Sequence, residues 1–156
     1  MNLKEFEKLW KANANDPVKV IELFMSAMLV YEKNQRNGAY MISYLLPKDD
    51  CIKDRRSPTG LVPNPRGVGY MLNQMLKNPN IVRSYIGGTP ENGYRVDPKS
   101  VKLNVVLKEI SSNRAKVVIQ SAGKDNPTPI SLKIEDGCWK ISSGISSIAT
   151  GVKPPA

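Results

Sequence analysis

The chain contains no histidine. Imidazole general bases, Ser-His-Asp and Cys-His nucleophiles and histidine-held metals are therefore outside its chemistry. The two cysteines, Cys51 and Cys138, are too few for a structural zinc site without imidazole, and read as small buried apolar residues rather than a nucleophile or a bridge. What remains is hydroxyl, carboxylate and ammonium chemistry. Tyr40 and Tyr44 are four positions apart and share one helix face,. Two phenols there would hydrogen-bond a ligand if the face lines a pocket; equally, their rings pack while the hydroxyls reach the surface. The glycine-rich turn Gly87 to Gly93 carries Thr89 and Asn92 and is flanked by Tyr85 and Tyr94. At a pocket rim these four would gather hydroxyls and an amide. As a phosphate cradle the turn lacks a following helix and a Lys-Ser/Thr pair, so the plainer reading is a turn whose glycines permit positive φ. Asp49-Asp50 would do acid–base work if burial split their pKa values, but Lys48 and Lys53 beside them in a polar loop point to a solvated pair,. No set reads as catalytic, and none as a metal or cofactor site.

The net charge is +9. It is spread along the chain: residues 1–94 carry 13 basic and 9 acidic side chains, and residues 95–156 carry 10 and 5. The densest run, Lys53, Arg55 and Arg56, sits among Asp49, Asp50 and Asp54. Phosphate-binding proteins gather their charge on one surface, so this distribution argues against nucleic acid. The alternation of the C-terminal half places Lys102, Lys108, Lys116, Lys133 and Lys140 on the polar face of a sheet. Such a face would dock an acidic protein or nucleic acid; the plainer reading is a solvated face whose lysines discourage sheet-to-sheet aggregation.

Positioning these groups falls to helices followed by a sheet. The apolar fraction is 40% and no apolar run approaches a membrane span,. A polar start without a leader-like apolar core suggests a cytoplasmic chain; a secreted origin stays open if a signal peptide preceded Met1. The length fits one domain over 1–156, with helices over about 2–77, a sheet over about 81–142 and a fraying tail at 151–156,. Leu3, Phe6, Leu9 and Trp10 outline a first helix,. Asp16 as N-cap and Pro17 at the first turn open a second, to Lys33, with Asn37-Gly38 ending it,. Ala39 to Leu46 reads as a third helix and Pro65 to Leu76 as a fourth. Pro47 to Asn64 reads as a polar loop and candidate flap; Ile81 to Ile86 is a short strand or a helix end,. Four strands follow: Val101, Leu103, Val105 and Leu107; then Ala115, Val117 and Ile119; then Ile130, Leu132 and Ile134; and, across a hairpin at Asp136-Gly137, Trp139 and Ile141,. The fold class is α+β, with helices packed on a curved antiparallel sheet.

Two stretches carry a resemblance. The helix Asp16 to Lys33 followed by NGAYMISYLLPKDD, and the hairpin PISLKIEDGCWKIS, together resemble the cone-shaped nuclear transport factor 2-like superfamily. SYIGGTPENGY, the WKI hairpin and the closing GVKPP also look like a family of bacterial domains of unknown function. The resemblance implies helices enclosing a pocket against a curved sheet. It implies no activity, because the superfamily contains isomerases and dehydratases beside non-catalytic binding and dimerising modules. No catalytic motif of the superfamily matches residue by residue. In such cones the outer sheet face supports dimer contacts, which five lysines oppose unless the partner brings acids. The expectation is a non-catalytic module binding an unknown small molecule or protein in an apolar pocket, with a second copy of the chain as a candidate partner. Its rivals are an isomerase- or hydrolase-type enzyme using a buried Asp or Tyr, and an electrostatic binder working through the lysine face.

Overall fold

A computed structural model describes residues 1–156. Helix α1 spans Leu3–Asn13, and the Asn2 side chain caps it by accepting from Glu5 N at 2.8 Å. Phe6 is its buried residue, whereas Leu9, expected on the same apolar face, is exposed. Helix α2, Pro17–Lys33, starts as its Asp-Pro pair dictates: Asp16 Oδ1 accepts from Val18 N and Lys19 N, and Pro17 has no N–H to satisfy,. Nine residues of α2 are buried, from Pro17 to Tyr31, which makes it the central helix.

Asn37-Gly38 does not end that helix. Asn34 does, closing α2 and capping the next: Asn37 N donates to Asn34 Oδ1 at 3.0 Å. Helix α3 then runs Gln35–Ser43 with Gly38 inside it. A β-carbon at Gly38 would lie 2.4 Å from Tyr31 Cα, so this glycine permits a close crossing of α2 and α3,.

The expected flap at Pro47 to Asn64 is a folded hairpin. A 3₁₀ turn over Lys48–Asp50 leads to β1, Cys51–Lys53, which pairs antiparallel with β2, Leu61–Pro63. Ser43 and Thr59 hydroxyls, 2.6 Å apart, join the hairpin to α3, and Lys48 N donates to Glu135 at 2.9 Å. Helices α4, Val68–Leu76, and α5, Asn80–Arg83, follow, so the Ile81 region is helical.

Strands β3 (Val105–Ile110), β4 (Arg114–Ile119), β5 (Thr128–Glu135) and β6 (Cys138–Ser143) form a four-stranded antiparallel sheet in that order. The Asp136-Gly137 turn has positive φ at both residues, 54° and 76°, as a tight two-residue hairpin demands,. Ile119, Leu132, Trp139 and Ile141 turn inward and are buried with α2 and α3 in a core of 30 residues. Helix α6, Ile145–Ile148, closes the chain.

The first strand departs from its sequence pattern. Residues 101–104 lie outside the ladder, and the register slips between Val105 and Leu107. That irregularity reverses the alternation. Leu107 opposes Val118 and is exposed, and Lys108 opposes the core residue Val117,. The tail 151–156 is tied back rather than loose: Lys153 N donates to Gly123 O and Ala156 N to Pro90 O, both at 2.9 Å.

Candidate functional site

The hydroxyls singled out in the sequence each find a partner within the chain. Tyr40, on α3, accepts from Arg36 Nε at 3.0 Å. Tyr44, just past α3, donates to Glu7 at 2.6 Å and stacks between Phe6 and Trp10, with ring centroids 5.9 and 4.9 Å away. Tyr85 lies deep in the core, its hydroxyl 2.6 Å from that of Thr128. Tyr94 donates to Lys153 O. Burial raises the pKa of Tyr44, with the Glu7 hydrogen bond adding to it, and pushes Tyr85 up to about 12 against the Thr128 bond,. All four phenols serve as packing groups with satisfied ends,.

Thr89 and Asn92 bond to each other. Thr89 N donates to Asn92 Oδ1 at 2.9 Å and Asn92 N to Thr89 Oγ1 at 3.0 Å. The Asn92 amide also donates to Gly87 O, so the turn closes on itself,. Tyr40 and Tyr44 therefore engage groups on α3 and α1, and the other four belong to the region around the glycine turn and the sheet. Of the six, Tyr94 lines the principal groove described below.

Of the five lysines, the ladder puts Lys116, Lys133 and Lys140 on one sheet face, opposite that of Val117 and Leu132, and the other two lie elsewhere. Lys102 precedes the ladder and Lys108 lies on the helix-facing side, beyond the helical cover,. Lys116 opposes Glu109 and Ser131, and Lys133 opposes Arg114 and Lys140. Lys140 is drawn inward: Nζ donates to Tyr44 O at 2.6 Å and lies 5.3 Å from the Trp10 ring centroid,. Burial lowers its pKa, with Cys138 and Glu135 opposing the shift. In the Asp pair, Asp49 is exposed, and burial raises the pKa of Asp50. Cys51 is packed at the core margin and its thiol is pushed up to about 11 by burial, away from thiolate chemistry,. No cluster of three potential metal ligands is present.

Sequence reasoning missed the groove itself. A concavity of about 1220 Å³ lies between α1, α2, α5 and the turn-rich segment 93–101. Leu23, Leu29 and Val30 of α2 face Val96 and Val101 across it. Arg83 reaches in from α5 and is held by Glu32 through two contacts, at 2.8 and 2.7 Å. The one usable signal was the mixed face of α2, apolar beyond what a single buried stripe requires. A second concavity of about 630 Å³ involves Lys124, whose Nζ donates to Ser147 O, Ile148 O and Thr150 Oγ1. Burial pushes that ammonium down to about 8, and its three acceptors occupy all its donors,.

No helix is long and apolar enough to cross a membrane. No curated protein and no solved structure matches the chain. A family model described as Domain of unknown function (DUF6935) matches residues 1–156, and the chain belongs to that family.

Proposed function

We propose that this chain is a non-catalytic binding module whose ligand occupies the groove between α2 and the segment 93–101. One observation carries the reading: a wide groove lined by apolar side chains of α2 together with polar and charged ones stands beside a helix–sheet interior whose phenols are engaged,. The pocket expected between helices and sheet is thus moved to the outer side of α2. The order of elements, helices then a four-stranded antiparallel sheet, supports kinship with the cone-shaped nuclear transport factor 2-like superfamily.

The enzyme reading draws less support. An acid or nucleophile of that kind needs a free carboxylate or phenol aimed into a cavity; Tyr44 and Tyr85 are turned to partners within the chain, and in the groove Glu22 pairs with Lys19, Glu32 with Arg83, and Tyr94 donates to Lys153 O,.

The test is a thermal-shift screen of small metabolites and short peptides, repeated on Val30→Trp, which puts a bulky ring into the groove wall. A ligand at one hundred times its Kd stabilises the folded state by about 2.7 kcal/mol, an easily read shift. Stabilising hits that Val30→Trp abolishes support the reading. Hits whose stabilisation is unchanged in Val30→Trp, or that are chemically turned over, overturn it.

A further inference from the structure

The two margins of the sheet are finished differently, and the unfinished one has a character of its own. β3 is the terminal strand, and of the other elements only β4 packs extensively on it. Three of the seven exposed large hydrophobics of the whole chain, Val106, Leu107 and Ile110, lie on this one strand. The line continues backwards through Val101 to Leu103, residues outside any regular element whose backbone groups make no hydrogen bond. Val101 is also a wall of the groove. Main-chain donors and acceptors thus run from the groove along the sheet margin, with apolar side chains at intervals. That is the surface on which an extended peptide adds as a strand.

Charge selects the kind of strand. Between residues 95 and 114 five cations are exposed: Arg95, Lys99, Lys102, Lys108 and Arg114. Two acids share the stretch, Asp97 and Glu109. None of the five cations takes part in an ion pair; the chain's ion pairs use Lys11, Lys19, Lys48, Arg83 and Lys153. A second copy pairing edge to edge would bring two such cation sets together, and lysine on an edge opposes that contact. An acidic strand meets no such barrier. The one large aromatic exposed on the surface, Tyr70, is on α4, so the edge offers no stacking platform for nucleic acid bases,.

We propose that the chain takes up an extended, acidic segment of a partner protein, apolar on alternate residues, as a fifth strand along the free edge of β3. This rests on the binding-module reading and adds the partner's class and direction of approach. The backbone ladder supplies general affinity. The unpaired cations steer and align the acids, and the groove at the Val101 end receives the partner's terminal side chains.

The probe is a fluorescent peptide of about nine residues alternating valine with glutamate, compared with its lysine counterpart and with oligothymidylate. The glutamate peptide should bind saturably, slow amide exchange along β3, and lose affinity as salt rises; the lysine peptide should bind at least about ten-fold more weakly. Leu107→Ser combined with Ile110→Ser should weaken binding about ten-fold or more without changing the charge of the edge; both side chains are exposed, which favours survival of the fold,. If that variant does not fold, Lys102→Glu with Lys108→Glu serves the same end. The proposal falls if no peptide binds, if both peptides bind alike, if oligothymidylate binds with the same edge dependence, or if the chain self-associates through β3. A screening hit abolished by Val30→Trp, with no effect of the acidic peptide on β3, would keep the groove reading and remove this one.

Discussion

The two edges of the sheet differ more than any other pair of regions in the molecule. At β6 the edge is sealed by the helical layer: Trp139 N donates to Ala14 O at 3.0 Å and Ile141 N to Leu45 O at 2.8 Å. Lys140 adds a third tie through Tyr44 O. At β3 the outward backbone is bare, and five exposed cations, Arg95, Lys99, Lys102, Lys108 and Arg114, lie on and around it. The same sheet therefore has one edge consumed by folding and one left over. A strand edge left open is an aggregation hazard unless charge, a bulge or a partner manages it. β3 has the first two, the register slip at Val106 and the lysines, and its exposed apolar side chains fit the third.

The largest expected effect separates the edges by stability. Trp139→Ala should cost about 3–5 kcal/mol, because a large buried ring is removed from a packed wall,. Leu107→Ala should cost less than about 1 kcal/mol, since its side chain is exposed and lies outside the core,. Urea midpoints measure both, and equal losses would break the comparison.

The next effect sharpens the cause of the seal. Leu45 reaches β6 because α3 crosses α2 closely at Gly38. In an exposed helix, replacing glycine by alanine stabilises by roughly 0.5–1 kcal/mol. Here the added methyl meets the Tyr31 backbone, so Gly38→Ala should destabilise by about 1–3 kcal/mol,. A gain in stability would show that the crossing is looser than its geometry implies.

These two cases also show what the sequence disclosed. Asp16-Pro17 and Asp136-Gly137 act through their own backbone, so a short window sufficed to place them,. Alternation in β4, β5 and β6 was equally readable, because one face of each meets the core. Asn37-Gly38 misled, since a glycine that allows close packing and one that ends a helix look alike in one dimension. Lys108 and Leu107 misled because a one-residue slip reverses every later side chain,. Of the candidate site, the hydroxyls were identifiable but their partners were not: Glu7 is 37 positions from Tyr44, and Thr128 is 43 from Tyr85. The groove depends on where the 93–101 segment lies against α2, which no local pattern encodes.

The smallest effect is a titration at the sealed edge. Burial holds the Lys140 ammonium below its ordinary value of 10.5. Between the lowered folded pKa and 10.5 the unfolded chain binds more protons, so this group's contribution makes stability rise with pH across that window. Below the window Lys140 is charged in both states, and above it neutral in both. Comparing melting temperatures of the parent chain and Lys140→Met isolates the contribution, because the tyrosines and Cys51 titrate in both. The parent should gain relative to the variant as pH climbs toward 10.5; parallel curves would contradict the burial of Lys140.

Native-state amide hydrogen exchange, resolved by residue in the unliganded chain, tests the contrast between the edges most directly. Trp139 and Ile141 amides should exchange only with global unfolding, while the β3 amides that do not face β4 should exchange at rates close to those of an unstructured peptide. Equal protection along both edges would mean that β3 is already covered, and the open-edge account would fail.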